Sequence, residues 1–152
     1  MYDDDRQRQQ VLSGFPGFIN VDAELLFSTR IESLPSHRVV LELLETIKID
    51  EHIVARCADL KRRGFHFALD DFYDCRDEYM PLLRIADIIK VDLPQLDDEH
   101  LDSLIKELRH FPVQLLAEKV DSSQRAQRCQ DLQFDFYQGY FFDPPTPAAT
   151  PV

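Results

Sequence analysis

Short apolar runs alternate with amphipathic segments along most of the chain. The apolar runs are residues 18–21, 38–43, 65–69, 87–92, 113–117 and 134–137. They are continuous rather than alternating, which is typical of parallel strands with both faces covered. The segments between them place apolar residues at helical spacing. The pattern therefore predicts an α/β fold with about six mostly parallel strands joined by helices, as a sheet or a barrel.

The best-defined predicted helix begins after Asp50 and places Ile53, Cys57 and Leu60 on one face. Gly64 is its natural stop, because glycine readily adopts the left-handed dihedral angles of a helix C-terminus. Shorter helices are predicted after Asp22, Pro81, Asp97 or Asp98, and Ser122 or Ser123. Residues 44–46 fit a strand end or a helix equally well, and that boundary stays open.

The two ends of the chain differ from the alternating region. Residues 1–17 are polar, and residues 144–152 are rich in Pro, Ala and Thr, which predicts an extended or disordered tail. Residues 18–143 contain no repeat and no linker, so we expect one domain. The length of 152 residues is enough for a core. A complete eight-fold β/α barrel typically takes about 250 residues.

Composition narrows the function classes. The net charge of −11 argues against DNA or RNA as a general partner, because such binding depends on Lys and Arg neutralising phosphates. No apolar run approaches the roughly 20 residues of a membrane span, and the N-terminus lacks the order of a signal peptide. Three widely spaced cysteines show no zinc spacing and indicate reduced thiols. We therefore expect a cytoplasmic protein.

Nearly every predicted strand ends in a polar or charged residue. These residues are Asn20, Glu42, Asp70, Asp71, Lys90, Asp92, Glu118 and Gln138. Because the carboxyl ends of parallel strands lie on one edge, they would converge where β/α proteins bind ligands. Clustered carboxylates favour Mg²⁺ or Mn²⁺, and a nearby lysine suits attack on a phosphate ester. Each residue alone is equally typical of a turn or a solvated surface, so the prediction depends on their recurrence.

Six short motifs carrying these residues resemble, in order, those of the EAL domain family of cyclic-di-GMP phosphodiesterases. They are FINV at 18–21, LELLET at 41–46, ALDDF at 68–72, IKVD at 89–92, LAEKVD at 116–121 and QGYFF at 138–142. The resemblance runs from about Phe18 to Pro145. It is closest to the branch in which the EAL domain is fused to an HDOD domain.

The resemblance implies an incomplete (β/α) barrel of the EAL, TIM-barrel-like type that opens cyclic-di-GMP to linear pGpG. It also implies two Mg²⁺ or Mn²⁺ ions at the strand ends. The metal ligands that it implies are Asn20, Glu42, Asp70 and Asp71. Lys90 and Glu118 would be catalytic, and Gln138 would bind substrate. Glu45 and Asp121 would support the flanking loops.

The sequence departs from the family pattern in three places. No E-x-L-x-R segment precedes Asn20, although the family's first metal ligand lies on that strand. Residues 73–77 read YDCRD where the family has a Gly-Thr-Gly-rich loop, and Lys119 replaces a glycine, as is normal in the HDOD-linked branch. We therefore expect an N-terminally truncated EAL-like domain with weak or absent hydrolysis, because misplaced reacting atoms lose rate steeply.

Three functions remain open from the sequence. The first is a catalytic phosphodiesterase. The second is a degenerate EAL module that acts by binding a protein or the nucleotide, with a protein partner or a homodimer covering the edges of an open barrel. The third is an unrelated α/β domain that binds another phosphorylated ligand, which six ordered motifs make the least favoured of the three.

Overall fold

The structure, a computed structural model, describes residues 17–139 and 142–147. Within them, seven strands form one sheet in chain order. The strands are β1 Gly17–Val21, β2 Val39–Leu43, β3 His66–Phe72, β4 Ile88–Asp92, β5 Gln114–Val120, β6 Phe136–Gly139 and β7 Phe142–Pro147. Each neighbouring pair from β1 to β6 is parallel. The predicted fold of about six parallel strands with helices is confirmed, and it forms a half-barrel.

Helices occupy the crossovers between the parallel strands. They are α1 Ala23–Leu26, α2 Glu51–Arg62, α3 Met80–Leu83, α4 Asp98–Leu108 and α5 Ser123–Asp131, with short 3₁₀ turns between. Four of them begin after a side chain that caps a free backbone N–H: Asp22, Asp50, Asp97 and Ser122. Helix α2 buries the predicted face, and Gly64 follows it with φ 98°. Residues 44–46, left open from the sequence, lie outside any helix.

The sheet has two differently packed faces. The outer face packs against the helices and forms the main core, with Leu41, Ile89 and Leu115 among its strand residues. The inner face carries a smaller apolar layer, made of Val40, Ala68, Ile88, Leu116 and Phe136, with Phe18 packed on it. Each of these residues lies two positions before the polar residue of its strand. Because strand side chains alternate with a period of two, the polar residues form the next layer of the inner face.

Strand β7 was not predicted. It pairs antiparallel with β6, and its residues 144–147 fall in the segment assigned to a Pro-rich tail. Proline has no N–H to donate and is tolerated mainly on edge strands, and β7 is the last strand of the sheet. The predicted polar segment up to residue 16 and the tail after residue 147 lie outside the described residues. Within the described part, no helix has the length and apolar character needed to cross a bilayer.

Candidate active site

A lysine surrounded by three carboxylates lies at the carboxyl ends of four neighbouring strands. Lys90 Nζ on β4 donates a hydrogen bond to Glu42 Oε2 on β2 at 2.9 Å. The same nitrogen lies 3.4 Å from Glu118 Oε2 on β5 and 3.9 Å from Asp70 Oδ1 on β3. Lys90 is only 6% exposed and Glu42 only 5%. The structure thus brings together four of the residues that the sequence placed at separate strand ends.

The cluster has more negative than positive charge. Burial raises the pKa of Glu118 to about 7, although Lys90 opposes this shift. Burial and a hydrogen bond shared with Glu42 raise the pKa of Asp70 to about 6. Burial alone would lower the pKa of Lys90, but the carboxylates around it outweigh burial, so this pKa is raised. A single cation therefore leaves the carboxyl groups incompletely neutralised.

Two side-chain oxygens in the inner polar layer are buried without a hydrogen bond among the described residues. They are Glu118 Oε1 on β5 and Gln138 Oε1 on β6. A buried acceptor without a donor is unfavourable by about 1–3 kcal/mol, so such an oxygen usually meets a ligand, an ion or water. Glu42, Asp70 and Glu118 also place ligand oxygens within 4.8 Å of one another. This all-oxygen donor set fits Mg²⁺ or Mn²⁺.

Strand β3 carries a bulge at the polar layer. Its register with β4 shifts between Leu69 and Phe72, and Asp71 has φ 48°. In a regular strand, Asp70 and Asp71 would point to opposite faces. The bulge lets both carboxylates gather with Glu45 in a second acidic group, with ligand oxygens within 4.8 Å of one another. The two acidic groups share Asp70, so they adjoin.

Strand β5 carries a matching bulge. Its register with β6 shifts between Ala117 and Val120, and Lys119 has φ 62°. As a result, Glu118 points into the first acidic group while Lys119 also reaches the carboxyl edge. Lys119 Nζ lies 3.3 Å from Asp92 Oδ1 and 3.7 Å from Asp71 Oδ1.

A cleft opens beside the second acidic group. It lies between the turn after β2 and the loop after β3, and Glu45, Asp71, Tyr73 and Arg76 are among its lining residues. Arg76 Nη2 donates to the Tyr79 hydroxyl at 2.8 Å, and its guanidinium carbon lies 5.1 Å from the centre of that ring. The aromatic contact holds a cationic side chain at the cleft, within the loop that follows β3.

The remaining predicted residues take different positions. Asn20 is exposed on β1 and in register with Glu42, so it belongs to the same polar layer. Gln138 is half-buried in that layer on β6, and Glu45 is exposed in the turn after β2. Asp121 is exposed just beyond β5. The roles assigned to these residues stay predictions.

Sequence reasoning missed three contacts of the site. The sequence marks Lys119 only as a departure from glycine, and regular alternation predicts that it points away from Asp71. Asp92 is one of the polar strand ends, and the sequence alone assigns it no role, although it is only 4% exposed. The ring of Phe18 lies 4.7 Å from Lys90 Nζ, a cation–π contact below the carboxylates. Because Phe18 lies two residues before Asn20, strand alternation places both side chains on the same face, and this spacing is the sequence signal for the contact.

A half-barrel of parallel β/α units with an oxygen-rich acidic cluster at its carboxyl edge defines a TIM-barrel-like protein with a candidate metal site. The EAL domain family matches residues 4–145, and the chain belongs to this family. The membership of the EAL family that the six motifs indicate is thereby confirmed.

Two curated relatives and one solved structure illustrate the similarity. The chain is 30% identical to the uncharacterized protein YuxH of Bacillus subtilis, over 90% of this chain and 34% of YuxH. It is 29% identical to the cyclic di-GMP phosphodiesterase CdgJ of Vibrio cholerae, over 84% of this chain and 30% of CdgJ. The chain therefore spans about a third of the length of these relatives.

The solved structure is that of YkuI from Bacillus subtilis, a protein with an EAL domain, in complex with substrate c-di-GMP and calcium. Its fold matches this chain with a TM-score of 0.69 at 23% identity, over 95% of this chain and 42% of YkuI. This similarity supports the half-barrel as a portion of the TIM-barrel-like EAL fold.

Proposed function

We propose that this domain binds cyclic-di-GMP and hydrolyses one of its phosphodiester bonds to give linear pGpG, with Mg²⁺ or Mn²⁺ as the cation. The observation that carries the proposal is the group of three carboxylates around Lys90, in a chain of the EAL family. The name of CdgJ and the ligand of YkuI give further support.

The proposed ligands of the cations are Asn20, Glu42, Asp70 and Asp71. Bound divalent ions would offset the charge of the phosphodiester and lower the pKa of a water molecule. Lys90, which Glu42 fixes by a 2.9 Å hydrogen bond, would hold and orient the reacting water as a donor. Its ammonium also keeps the surrounding carboxylates close enough together to share a cation.

Glu118 would act on the same water as a proton acceptor. One of its oxygens faces Lys90, and the other is buried without a hydrogen bond among the described residues, so it would accept a hydrogen bond or a proton. Gln138 would contact the nucleotide from β6. Glu45 and Asp121 would support the loops that follow β2 and β5.

The direct test is to incubate the chain with cyclic-di-GMP and Mn²⁺ or Mg²⁺ and to follow pGpG by chromatography. Glu42→Gln removes a ligand charge from the cluster and should lower turnover by at least about a hundredfold. Glu99→Gln is the matched control, because Glu99 is exposed on α4. Absence of pGpG at high protein concentration, or equal turnover by Glu42→Gln, would contradict the proposal.

The second candidate is a module that binds the nucleotide or a protein without turnover. It is favoured by the altered loop at 73–77 and by Lys119, whose ammonium lies 3.7 Å from the proposed ligand Asp71. Calorimetry with cyclic-di-GMP in Ca²⁺ distinguishes the two candidates, since binding there without pGpG in Mn²⁺ identifies a receptor. Light scattering tests the proposed homodimer, and a protein partner remains the alternative.

We also propose a cytoplasmic location. Cys57, Cys75 and Cys129 are all free thiols in the structure, and a reducing compartment would keep them so. Localisation of a fluorescent fusion tests this proposal, and a fusion found outside the cytoplasm would overturn it.

A further inference from the structure

Lys119 occupies a backbone conformation that disfavours any side chain. Its φ of 62° lies in the left-handed region, which glycine adopts freely. Any residue other than glycine is disfavoured in this left-handed conformation by roughly 1–2 kcal/mol, so its side chain has to make compensating contacts. The contacts of Lys119 are at its ammonium, which points toward the carboxylates at the ends of β3 and β4.

Asp92 supplies the closer of the two ion pairs. Its side chain is only 5% exposed, and its Oδ1 lies 3.3 Å from Lys119 Nζ. A buried carboxylate is strongly unfavourable without a cation or hydrogen-bond donors. The interaction therefore explains why a lysine can be retained at a position that suits glycine.

Asp71 supplies the second contact, and it connects Lys119 to the cation site. Asp71 belongs with Glu45 and Asp70 to the second acidic group, and its Oδ1 lies 3.7 Å from Lys119 Nζ. Each acidic group therefore has its own lysine. The side chain of Lys90 is only 7% exposed within the first group, whereas that of Lys119 is 54% exposed and has room to move into solvent.

We propose that Lys119 is an internal cation that competes with a divalent ion for Asp71, the proposed cation ligand that it contacts in the second acidic group. A divalent ion in this group meets the repulsion of the ammonium unless Lys119 leaves Asp71. The competition lowers the affinity of this group and leaves the first group, which Lys90 holds together, less affected. The inference depends on the divalent-cation site of the proposed function, but not on turnover.

The test is a titration with Mn²⁺ at about 0.15 M ionic strength without nucleotide, followed by calorimetry and by the electron paramagnetic resonance of free Mn²⁺. Lys119→Met removes the charge and keeps a long side chain, and Lys119→Arg keeps the charge. Lys106→Met is the matched control, because Lys106 is exposed on α4 and its loss changes the net charge equally. A unit charge at this distance affects binding strongly even in a polar surrounding.

We expect Lys119→Met to bind the more weakly held Mn²⁺ about tenfold more tightly than the wild type. Lys119→Arg and Lys106→Met should bind it like the wild type. Lys119→Gly also removes the charge and, because glycine adopts a φ of 62° without strain, separates the charge effect from backbone strain; it should show the same tightening as Lys119→Met.

Wild-type affinity in both Lys119→Met and Lys119→Gly would overturn the inference and leave the proposed function intact. Equal tightening in Lys106→Met would also overturn it, since a general charge effect would then suffice. No Mn²⁺ binding by any variant would overturn both the inference and the proposed metal site. Tighter Mn²⁺ binding by Lys119→Met, together with no pGpG in the separate turnover assay, would support the inference and contradict the proposed hydrolysis.

Discussion

The two ends of strand β4 each meet a charged cluster, and the two clusters are built in opposite ways. Just before β4, Asp87 accepts hydrogen bonds from Lys61 Nζ and from the backbone N–H of Phe67, the latter at 2.9 Å. His66 Nδ1 lies 3.5 Å from the same carboxylate. At the carboxyl end, by contrast, Lys90 is shared by three carboxylates and Lys119 by two more, those of Asp71 and Asp92. At the amino end, hydrogen-bond donors outnumber carboxylates, whereas at the carboxyl end carboxylates outnumber lysines.

The pKa values follow this difference. Burial opposes ionisation of Asp87, but the hydrogen bonds from its donors outweigh burial and lower its pKa. At the other end, burial dominates, and the pKa of Glu118 rises to about 7. The donor-rich end fastens β4 to β3. The donor-poor end leaves carboxylates in need of a cation, and such sites commonly reduce the stability of the folded chain.

The largest expected effect is that of Lys90→Met. Without divalent ions, it leaves three clustered carboxylates without their lysine, and we expect the free energy of unfolding in urea to fall by about 3 kcal/mol at pH 7. Mg²⁺ should restore part of this loss. Lys61→Met is the matched control at the amino end, where Asp87 keeps its other donors. A smaller loss for Lys90→Met than for Lys61→Met would break the comparison.

Asp87→Ala should have the next largest effect. It leaves the N–H of Phe67 without its acceptor, and we expect the free energy of unfolding to fall by about 2 kcal/mol. The affinity for Mn²⁺ should stay unchanged, because Asp87 lies at the opposite end of the strand from the candidate site. A changed affinity, measured by calorimetry, would show that the two ends are coupled.

The pH dependence of stability should have opposite signs at the two ends. Glu118 and Asp70 have folded-state pKa values of about 7 and about 6, above their ordinary values. Their contribution is therefore fully present below their unfolded-state pKa values, and it is lost as the pH rises through 6 to 7. Asp87 has a lowered pKa, so its contribution is present above the ordinary Asp value and lost as the pH falls through the folded-state pKa.

The measurement is urea unfolding between pH 3 and pH 8 without divalent ions. Glu118→Gln should remove about 1 kcal/mol of the decline above pH 6, since one pKa unit corresponds to about 1.4 kcal/mol. Asp87→Asn should instead reduce the fall in the free energy of unfolding at acid pH. If Glu118→Gln leaves the decline above pH 6 unchanged, the carboxyl end is not the source of the pH dependence.

The smallest expected effect is that of Asp135→Asn. Asp135 repeats the amino-end arrangement two crossovers later, between β5 and β6, where its Oδ2 accepts the N–H of Leu115 at 2.8 Å. No ion pair joins Asp135 in the described part of the chain, so we expect a loss of about 0.5–1 kcal/mol in thermal unfolding. The difference from Asp87→Asn then measures what Lys61 and His66 add. Equal losses for the two variants would show that these side chains add nothing.

Much of the fold could be predicted because local and tertiary preferences agree. In α2, the cap at Asp50, the apolar face and Gly64 all indicate the same helix, and the structure contains it. Strand β7 could not be predicted, because its prolines argue against a strand and its pairing depends on the position of β6. The distinction lies in whether the deciding contacts are near in sequence or distant.

The same distinction applies to the candidate site. The gathering of Glu42, Lys90 and Glu118 follows from parallel strands with polar carboxyl ends, which a sequence displays directly. The positions of Asp71 and Lys119 follow from two bulges, and a bulge arises from a register shift between paired strands. Alternation alone places Lys119 on the wrong face, so its ion pairs were found only in the structure.

The two layers of the inner face restrict where the chain can accept an insertion or a deletion. Along each strand, one apolar residue and one polar residue of the inner face stand two positions apart, as Ile88 and Lys90 do on β4. Insertion or deletion of a single residue ahead of such a pair within the strand would turn both away from the inner face at once. The apolar packing of the inner face and the polar residues of the candidate site would therefore be lost together. Apart from the bulges of β3 and β5, length variation is tolerable only in the crossovers, so divergent relatives should differ in loop length while keeping strand length.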